Sequence, residues 1–147
     1  MITEDYCGFE VAKLLKEKGF DGDTNCYYIE GTESKNLCYS PIRKNHNKRI
    51  TNDEFDIHID IGSSRISAPT LQMAMKWLRR EHNIHIEILM TNHSMSKLFD
   101  IPKYYWVAVN AKTCKWITES TLYSAKQFDT KEEACEAAIK YCLENLI

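Results

Sequence analysis

The sequence predicts an α+β fold: an antiparallel sheet built from hairpins and packed with about three helices, in the order α-β-β-β-α-β-β-β-α. The block at residues 67–88 carries most of this prediction, because its apolar period changes from helical to strand-like. In its first half, the apolar side chains share one helical face: Leu71, Ala74, Met75 and Leu78. In its second half, they alternate as in a strand: Ile84, Ile86 and Ile88. Strands that come in pairs between widely separated helices favour an antiparallel sheet.

The N-terminal part begins with a predicted helix at about residues 8–18, which Gly19 ends. Two short strand candidates follow at 26–30 and 36–40, and they predict a hairpin. Residues 41–54 are polar and lack periodic apolar positions. They therefore predict a long surface loop.

The middle of the chain predicts a strand, a helix and a second strand. Residues 55–61 alternate strictly between apolar and polar side chains, which predicts a strand. The start of the central helix is then indicated by Ser67, Pro69 and Thr70. Proline favours the first helical turn, because the N–H that it lacks would have no partner there. That helix is followed by the strand predicted at 84–90.

A second hairpin is predicted further along the chain, with strands at 103–109 and 114–119 and a turn at 110–113. In the register that we predict, Val109 lies opposite Cys114. The strand period then places alternate residues of the hairpin on opposite faces of the sheet.

The last predicted helix begins at Thr130. The Thr130 hydroxyl can accept a hydrogen bond from the N–H of Glu133 while the Glu133 carboxylate reaches back, which is a capping box. The apolar residues of this helix predict a buried stripe: Ala134, Ala138, Tyr141, Cys142 and Leu146.

The composition is that of a folded globular chain. The 147 residues predict a single domain at 1–147, with 44% hydrophobic and 27% charged residues. A net charge of -2 gives no global attraction to phosphate backbones or anionic lipid. The first residues lack the pattern of a secretory signal, and no apolar run has the length of a membrane span. We therefore expect a cytoplasmic protein whose six cysteines are reduced, without a C-x-x-C pair for zinc.

Three parts of the chain carry a resemblance: FEVAKLLKEKGF at 9–20, SAPTLQMAMKWLR at 67–79 with HNIHI at 82–86, and EEACEAAIKYCL at 132–143. They resemble segments of small uncharacterised proteins encoded by phages and prophages of gut anaerobic bacteria. Residues 41–54 depart from that family. The resemblance implies a viral or mobile-element accessory protein in the cytoplasm of a bacterial host, and it carries no activity and no catalytic residues.

An aromatic cluster on the second hairpin is the first candidate site. Tyr104 and Trp106 share a predicted sheet face with Lys115. If that face is exposed, it is a platform on which a base can stack, or an apolar patch for a partner. The simpler interpretation is that helices cover both faces, since aromatic residues are core residues more often than ligand platforms.

A basic cluster at the end of the central helix is the second candidate site. Lys76, Arg79 and Arg80 lie within about one helical turn of each other, so they can clamp a phosphate or a carboxylate. The simpler interpretation is a solvated helix face whose cations complement the negative end of the helix dipole.

Three weaker patterns complete the candidates. Asp56, His58 and Asp60 share a strand face in a spacing that suits a metal, although any exposed strand can show it. The pair His82 and His85 lies across the boundary between a helix and a strand and has no fixed geometry. The basic run at 43–49 is largely cancelled by the acidic residues that follow, which favours a solvated loop. We therefore predict no metal and no cofactor.

The chain shows no phosphate-binding glycine loop, no nucleophile elbow and no zinc-protease helix. These absences weigh against an enzyme. Together with the resemblance, they favour a non-catalytic protein that binds a host protein or defence component. The alternative is a nucleotide-binding sponge that sequesters an immune signalling nucleotide, with aromatic rings around the base and Arg79, Arg80 or Lys115 on the phosphates. Neither hypothesis needs a membrane or a nucleic acid, and both leave a homo-oligomer open.

Overall fold

In a computed structural model of the chain, the described residues are 3–48, 64–91, 103–120 and 127–147. They form three helices and six strands in the order α-β-β-β-α-β-β-β-α, which confirms the α+β class. The chain forms two compact units, each with one three-stranded antiparallel sheet. The first unit is Tyr6–Thr70, and the second unit is Leu71–Ile147 with Met1–Asp5. The single domain expected at 1–147 stays a prediction.

The first unit consists of one helix and three strands: α1 (Phe9–Glu17), β1 (Thr24–Ile29), β2 (Cys38–Lys44) and β3 (Arg65–Ala68). The strand order is β2-β1-β3, with β1 in the centre, so the predicted first hairpin is confirmed. α1 covers one face of this sheet, where it contributes Ala12 to a core of Cys26, Tyr28, Ile66 and Ala68.

Gly19 ends the first helix as the sequence predicts. Its φ of 89° lies in the left-handed region that glycine adopts without a Cβ penalty. The Gly19 N–H donates to the Lys16 carbonyl at 3.1 Å, and the Phe20 N–H donates to the Leu15 carbonyl at 2.8 Å. This pair of hydrogen bonds is a Schellman motif, and the Phe20 ring that follows is buried.

The loop predicted at 41–54 is wrong at its beginning. β2 continues through Pro41 to Lys44, and the following His46 is buried. Proline is tolerated here because β2 is an edge strand. The strand predicted at 55–61 lies outside the described residues.

The third strand of the first unit, β3, is absent from the sequence prediction. Its four residues alternate between the two faces of the sheet, with Ile66 and Ala68 buried against α1. The sequence expectation that Pro69 lies in the first turn of the next helix is wrong, because α2 begins at Leu71. Ser67 belongs to β3. Pro69 precedes the helix, and its carbonyl oxygen accepts a hydrogen bond from the Cys7 N–H at 2.9 Å.

The second unit consists of two helices and three strands: α2 (Leu71–Glu81), β4 (Ile84–Met90), β5 (Tyr104–Asn110), β6 (Trp116–Glu119) and α3 (Lys131–Asn145). The strands form a meander in the order β4-β5-β6, and the bounds predicted for β4 are confirmed. α2 ends at Glu81, and Asn83, which precedes β4, adopts a positive φ of 57°.

Both helices of the second unit pack on one face of its sheet, the inner face, and they also contact each other. The helices contribute nine buried residues: Leu71, Ala74, Leu78, Ala134, Cys135, Ala138, Ile139, Cys142 and Leu143. The sheet contributes four: Ile84, Ile86, Trp106 and Ala108. Three members of the predicted stripes lie at the margin instead: Met75 is half-buried, Tyr141 is 37% exposed, and Leu146 is half-buried at the end of α3.

The register of the second hairpin differs from the prediction. Val109 pairs with Trp116 rather than with Cys114, and the register shifts between Ala108 and Val109. The wide turn explains the difference. The Asn110 side-chain carbonyl accepts the N–H groups of Lys112 and Thr113, both at 3.0 Å, so the chain turns over more residues than a tight hairpin needs.

The sequence prediction for the start of α3 is confirmed in its main element. The Thr130 hydroxyl oxygen accepts a hydrogen bond from the Glu133 N–H at 3.1 Å. Two cysteines of this helix are buried. Burial raises the pKa of Cys135 to about 11 and that of Cys142 to about 12.

We expect the substitution Thr130→Ala to destabilise the protein by about 1 kcal/mol, because the N–H of Glu133 loses its cap. Equilibrium unfolding in urea, followed by circular dichroism, measures the change. A loss close to zero would contradict a stabilising cap. The substitution Thr113→Ala in the exposed turn serves as the control and should leave the free energy of unfolding unchanged within about 0.5 kcal/mol.

Candidate binding surface

The second sheet has an outer face, opposite the face on which α2 and α3 pack. The strand register assigns seven partly exposed side chains to this outer sheet face: His85, Glu87, Leu89, Tyr105, Val109, Trp116 and Glu119. Val107 at its centre is buried. Paired residues of an antiparallel sheet point to the same side, so these side chains form one surface on a rigid support.

Trp106 lies on the inner face, and this corrects its expected place in a binding platform. The side chain is only 5% exposed, and its ring lies 5.2 Å from the ring of Tyr141 on α3. Tyr104 shares that face and is half-buried, with its backbone paired to Phe128. A ring covered by a helix is not available to a ligand, so the interpretation as a core residue is correct for Trp106.

Trp116 takes the exposed position that the sequence assigned to Trp106. Its side chain is 59% exposed and lies beside Val109 on the outer sheet face. Leu89, which is 37% exposed, pairs with Tyr105 on the same face. The strand period grouped Trp116 with Tyr105 and Val109, but it did not indicate which face the helices cover.

The charges on the outer sheet face are mixed and mainly acidic. Glu87 and Glu119 lie on the two strands that flank Val107. His85 Nε2 lies 3.6 Å from a Glu87 carboxylate oxygen, and both side chains are partly exposed. This surface therefore offers carboxylates and one imidazole next to apolar area.

The predicted basic cluster lies on the solvent side of α2. Lys76, Arg79 and Arg80 are all exposed, opposite the buried Leu78. Within the described ranges, none of the three cations forms an ion pair. Their position at the end of α2 also suits the negative pole of the helix dipole.

Lys115 approaches the end of α2 but not the predicted aromatic pair. The turn that precedes Lys115 is held to the connection between α2 and β4 by a hydrogen bond from the Ala111 N–H to the Asn83 carbonyl at 2.7 Å. Lys112 and Lys115 are exposed in this part of the chain. The structure thus places Lys115 at the end of the sheet where α2 ends and leaves Trp106 in the core, so the predicted residues do not form one surface.

A stack of three side chains in the first unit was missed by the sequence analysis. The Tyr27 ring stacks on the His46 ring at 4.7 Å, and the Arg65 guanidinium lies 4.5 Å from the centre of the Tyr27 ring. The His46 N–H of the backbone donates to the Ser67 hydroxyl at 2.9 Å. No periodicity in the sequence indicates this contact, because His46 follows a strand in a polar segment.

His46 is 3% exposed, and its burial favours the neutral form of the ring. Its Nε2 donates to the Thr24 carbonyl at 3.1 Å, while its buried Nδ1 has no hydrogen-bond partner in the part of the chain that the structure describes. Burial lowers the pKa of His46 below its ordinary value of 6.5. Lys44 and Arg65 lower it further, whereas the Thr24 carbonyl and Asp23 act in the opposite direction.

The described ranges contain no group of three or more His, Cys, Asp or Glu side chains arranged to hold a metal ion. His82 packs against the Trp77 ring at 4.7 Å, and His85 lies beside Glu87. The metal pattern at Asp56, His58 and Asp60 lies outside the described residues. The basic run at 43–49 begins within β2, which includes Arg43 and Lys44, and Arg43 Nε donates to the Asp23 carbonyl at 3.0 Å.

Comparison with known proteins gave no match: no family model, no curated protein and no solved structure is similar to this chain. Among the described helices, none has the length and apolar character needed to cross a membrane.

We expect substitution of the two hairpin tryptophans to change the free energy of unfolding by very different amounts. Trp106→Ser should cost about 3–5 kcal/mol, because it empties a packed site under α3. Trp116→Ser should change the free energy of unfolding by less than about 0.5 kcal/mol, because the ring is mostly in solvent. Urea unfolding followed by far-ultraviolet circular dichroism measures both, and equal losses would contradict the assignment of the two faces.

The burial of His46 predicts a pH dependence of the first unit. A histidine whose pKa is lowered by folding stabilises the protein fully above its unfolded pKa of about 6.5, and this stability decreases as the pH falls toward the folded pKa. Amide hydrogen exchange of β1 should therefore show weaker protection at about pH 5 than at about pH 7.5, after correction for intrinsic rates. In His46→Gln, the change of β1 protection with pH should be smaller than in the wild type. An equal change in the two proteins would contradict the role of His46 in this pH dependence.

Proposed function

We propose that this chain is a non-catalytic accessory protein of a phage or prophage that binds a host protein or defence component through the outer sheet face. The phage origin rests on the resemblance of the segments at 9–20, 67–86 and 132–143. The binding role rests on the exposed Trp116. A bacterial cytoplasm as the site of action is part of the same proposal.

The side chains around Trp116 support a protein partner. Leu89 and Tyr105 extend the exposed apolar area across the strands, and the sheet holds all of these residues in fixed positions. Tryptophan on a rigid support is typical of the few residues that contribute most of the free energy of a protein interface. Apolar patches rimmed by polar residues mark such interfaces.

The charges of the outer sheet face favour a protein over a nucleotide. Glu87 and Glu119 repel phosphates, whereas they can pair with the lysines or arginines of a protein. The nucleotide-binding alternative also loses the Trp106 ring, which is covered by α3. The basic cluster on α2 remains the part of the molecule that supports an anionic ligand.

Binding should depend on Trp116 and not on exposed aromatic side chains in general. We expect purified wild-type protein to retain a specific host protein from lysate, and Trp116→Ala to reduce that retention at least about tenfold. Tyr39→Ala is the matched control, because Tyr39 is an exposed aromatic residue of the first unit, and it should retain the protein fully. Quantitative mass spectrometry of the retained proteins measures the difference.

Two results would overturn this function. Identical sets of retained proteins for wild type, Trp116→Ala and Tyr39→Ala would remove the outer sheet face from the proposal. Turnover of a metabolite by the purified protein, abolished by a single substitution, would instead show an enzyme. Calorimetry with cyclic and linear nucleotides on Arg79→Ala and Arg80→Ala tests the alternative ligand.

A further inference from the structure

The two sheets differ in how their edge strands are protected. An unpaired edge strand is a template for pairing with another chain, and proteins limit this by short strands, bulges, prolines or lysines. Among the described strands, three of the four edges carry such features. β2 contains Pro41 and ends at Lys44, β3 has four residues, and β6 has four residues and a shifted register.

β4 carries none of these features. It pairs over seven residues in regular register, and it contains neither proline nor lysine. Within the described ranges, only β5 lies alongside it. Its sequence is mainly apolar, and its last two residues, Leu89 and Met90, are exposed. β4 is therefore the edge best suited to accept another strand.

At even positions, the backbone N–H and C=O groups of β4 point away from β5. At one end of the ladder the Thr91 N–H donates to the Lys103 carbonyl at 2.8 Å, and at the other end the Ala111 N–H donates to the Asn83 carbonyl at 2.7 Å. Because hydrogen-bonded and non-hydrogen-bonded pairs alternate in an antiparallel ladder, the odd residues of β4 face β5. The N–H and C=O groups of Ile84, Ile86 and Ile88 therefore face the open edge.

We propose that the chain forms a twofold symmetric dimer in which β4 pairs antiparallel with β4 of a second copy, with Ile86 on the twofold axis. A twofold interface requires a self-complementary surface. In this register Ile86 lies opposite Ile86 of the partner subunit, and Ile84 lies opposite Ile88 of the partner subunit. The outward backbone groups of both β4 strands then pair. The second-unit sheet of each copy has three strands, and the pairing joins these two sheets into one sheet of six strands.

The polar side chains of β4 select this register. With Ile86 on the axis, His85 lies opposite Glu87 of the partner subunit, and the symmetry makes this pair twice. These are non-hydrogen-bonded positions, where side chains lie closest. An imidazole N–H can donate to a carboxylate in either protonation state of the ring. The neighbouring registers place Glu87 opposite Glu87, or His85 opposite His85, and like charges in direct opposition destabilise a sheet.

The dimer uses the backbone edge of β4 together with His85 and Glu87, whereas the proposed function rests on Trp116, which lies on β6 at the other side of the outer sheet face. The two proposals therefore fail separately. Loss of the dimer leaves the role of Trp116 intact, and loss of partner binding in Trp116→Ala leaves the β4 pairing intact.

Sedimentation equilibrium of the full chain tests the pairing. We expect a dimer, and we expect Glu87→Lys to raise its dissociation constant about tenfold, because an ammonium group cannot accept the His85 N–H that the carboxylate accepts. The double substitution His85→Glu with Glu87→Lys again places a carboxylate opposite a donor and should restore dimerisation. Glu119→Lys makes the same charge change on β6 and should have no effect. Circular dichroism checks that each variant folds, which is expected because His85 and Glu87 are partly exposed.

A disulfide experiment tests the register. Two chains are prepared in a background of Cys38→Ser and Cys114→Ser, one with His85→Cys and the other with Glu87→Cys. The proposed register brings the two new thiols opposite each other only in the mixture, so a covalent dimer should form there and not in either chain alone.

Several outcomes would overturn the proposal: a chain that stays monomeric up to about 100 µM, a dimer whose stability does not respond to the substitutions at His85 and Glu87, or a dimer without the mixed disulfide. A monomer that adds a strand of a different protein to β4 would overturn it equally.

Discussion

β5 has both of its edges occupied, and the rest of the second unit depends on this pairing. β4 pairs with it along its whole length, while β6 and Phe128 pair on the other side. At the centre, the Trp106 N–H donates to the Ser120 hydroxyl at 2.9 Å, and the Trp106 carbonyl accepts the Ser120 N–H at 3.0 Å. Buried backbone groups need such partners. Because they are provided, β5 can carry Trp106 and Ala108 into the core, and its alternate residues form the outer sheet face.

Strongly periodic segments of this fold could be predicted from the sequence, and short or polar ones could not. β4 alternates between apolar and polar residues from Ile84 to Ile88, and α3 begins after a capping residue, Thr130, that determines its first turn locally. β3 has four residues and is followed by Pro69, so its local pattern resembles the start of a helix. It becomes a strand only because β1 pairs with it and α1 covers Ile66 and Ala68, which are tertiary contacts that no local pattern contains.

The candidate surface was predictable only as far as the strand period allows. Alternation places Trp106 and Trp116 on opposite faces, but it does not indicate which face the helices cover. That choice depends on where α2 and α3 pack, which is a property of the whole second unit. The exposure of Lys76 and Arg79 followed directly from helical geometry and the apolar stripe. His46 illustrates the opposite case, since its burial arises from the contacts with Thr24 and Ser67 that fold the end of β2 back over the sheet.

Each unit contains buried cysteines whose reaction with a thiol reagent can report the opening of that unit. Cys7 and Cys26 are buried in the first unit, and Cys135 and Cys142 are buried in the second. The raised pKa values of the α3 pair keep these thiols protonated, and only the thiolate reacts with alkylating reagents. A buried thiol is therefore alkylated only when the unit around it opens. The extent of labelling at each pair then gives the opening free energy of each unit separately, within one unmodified chain.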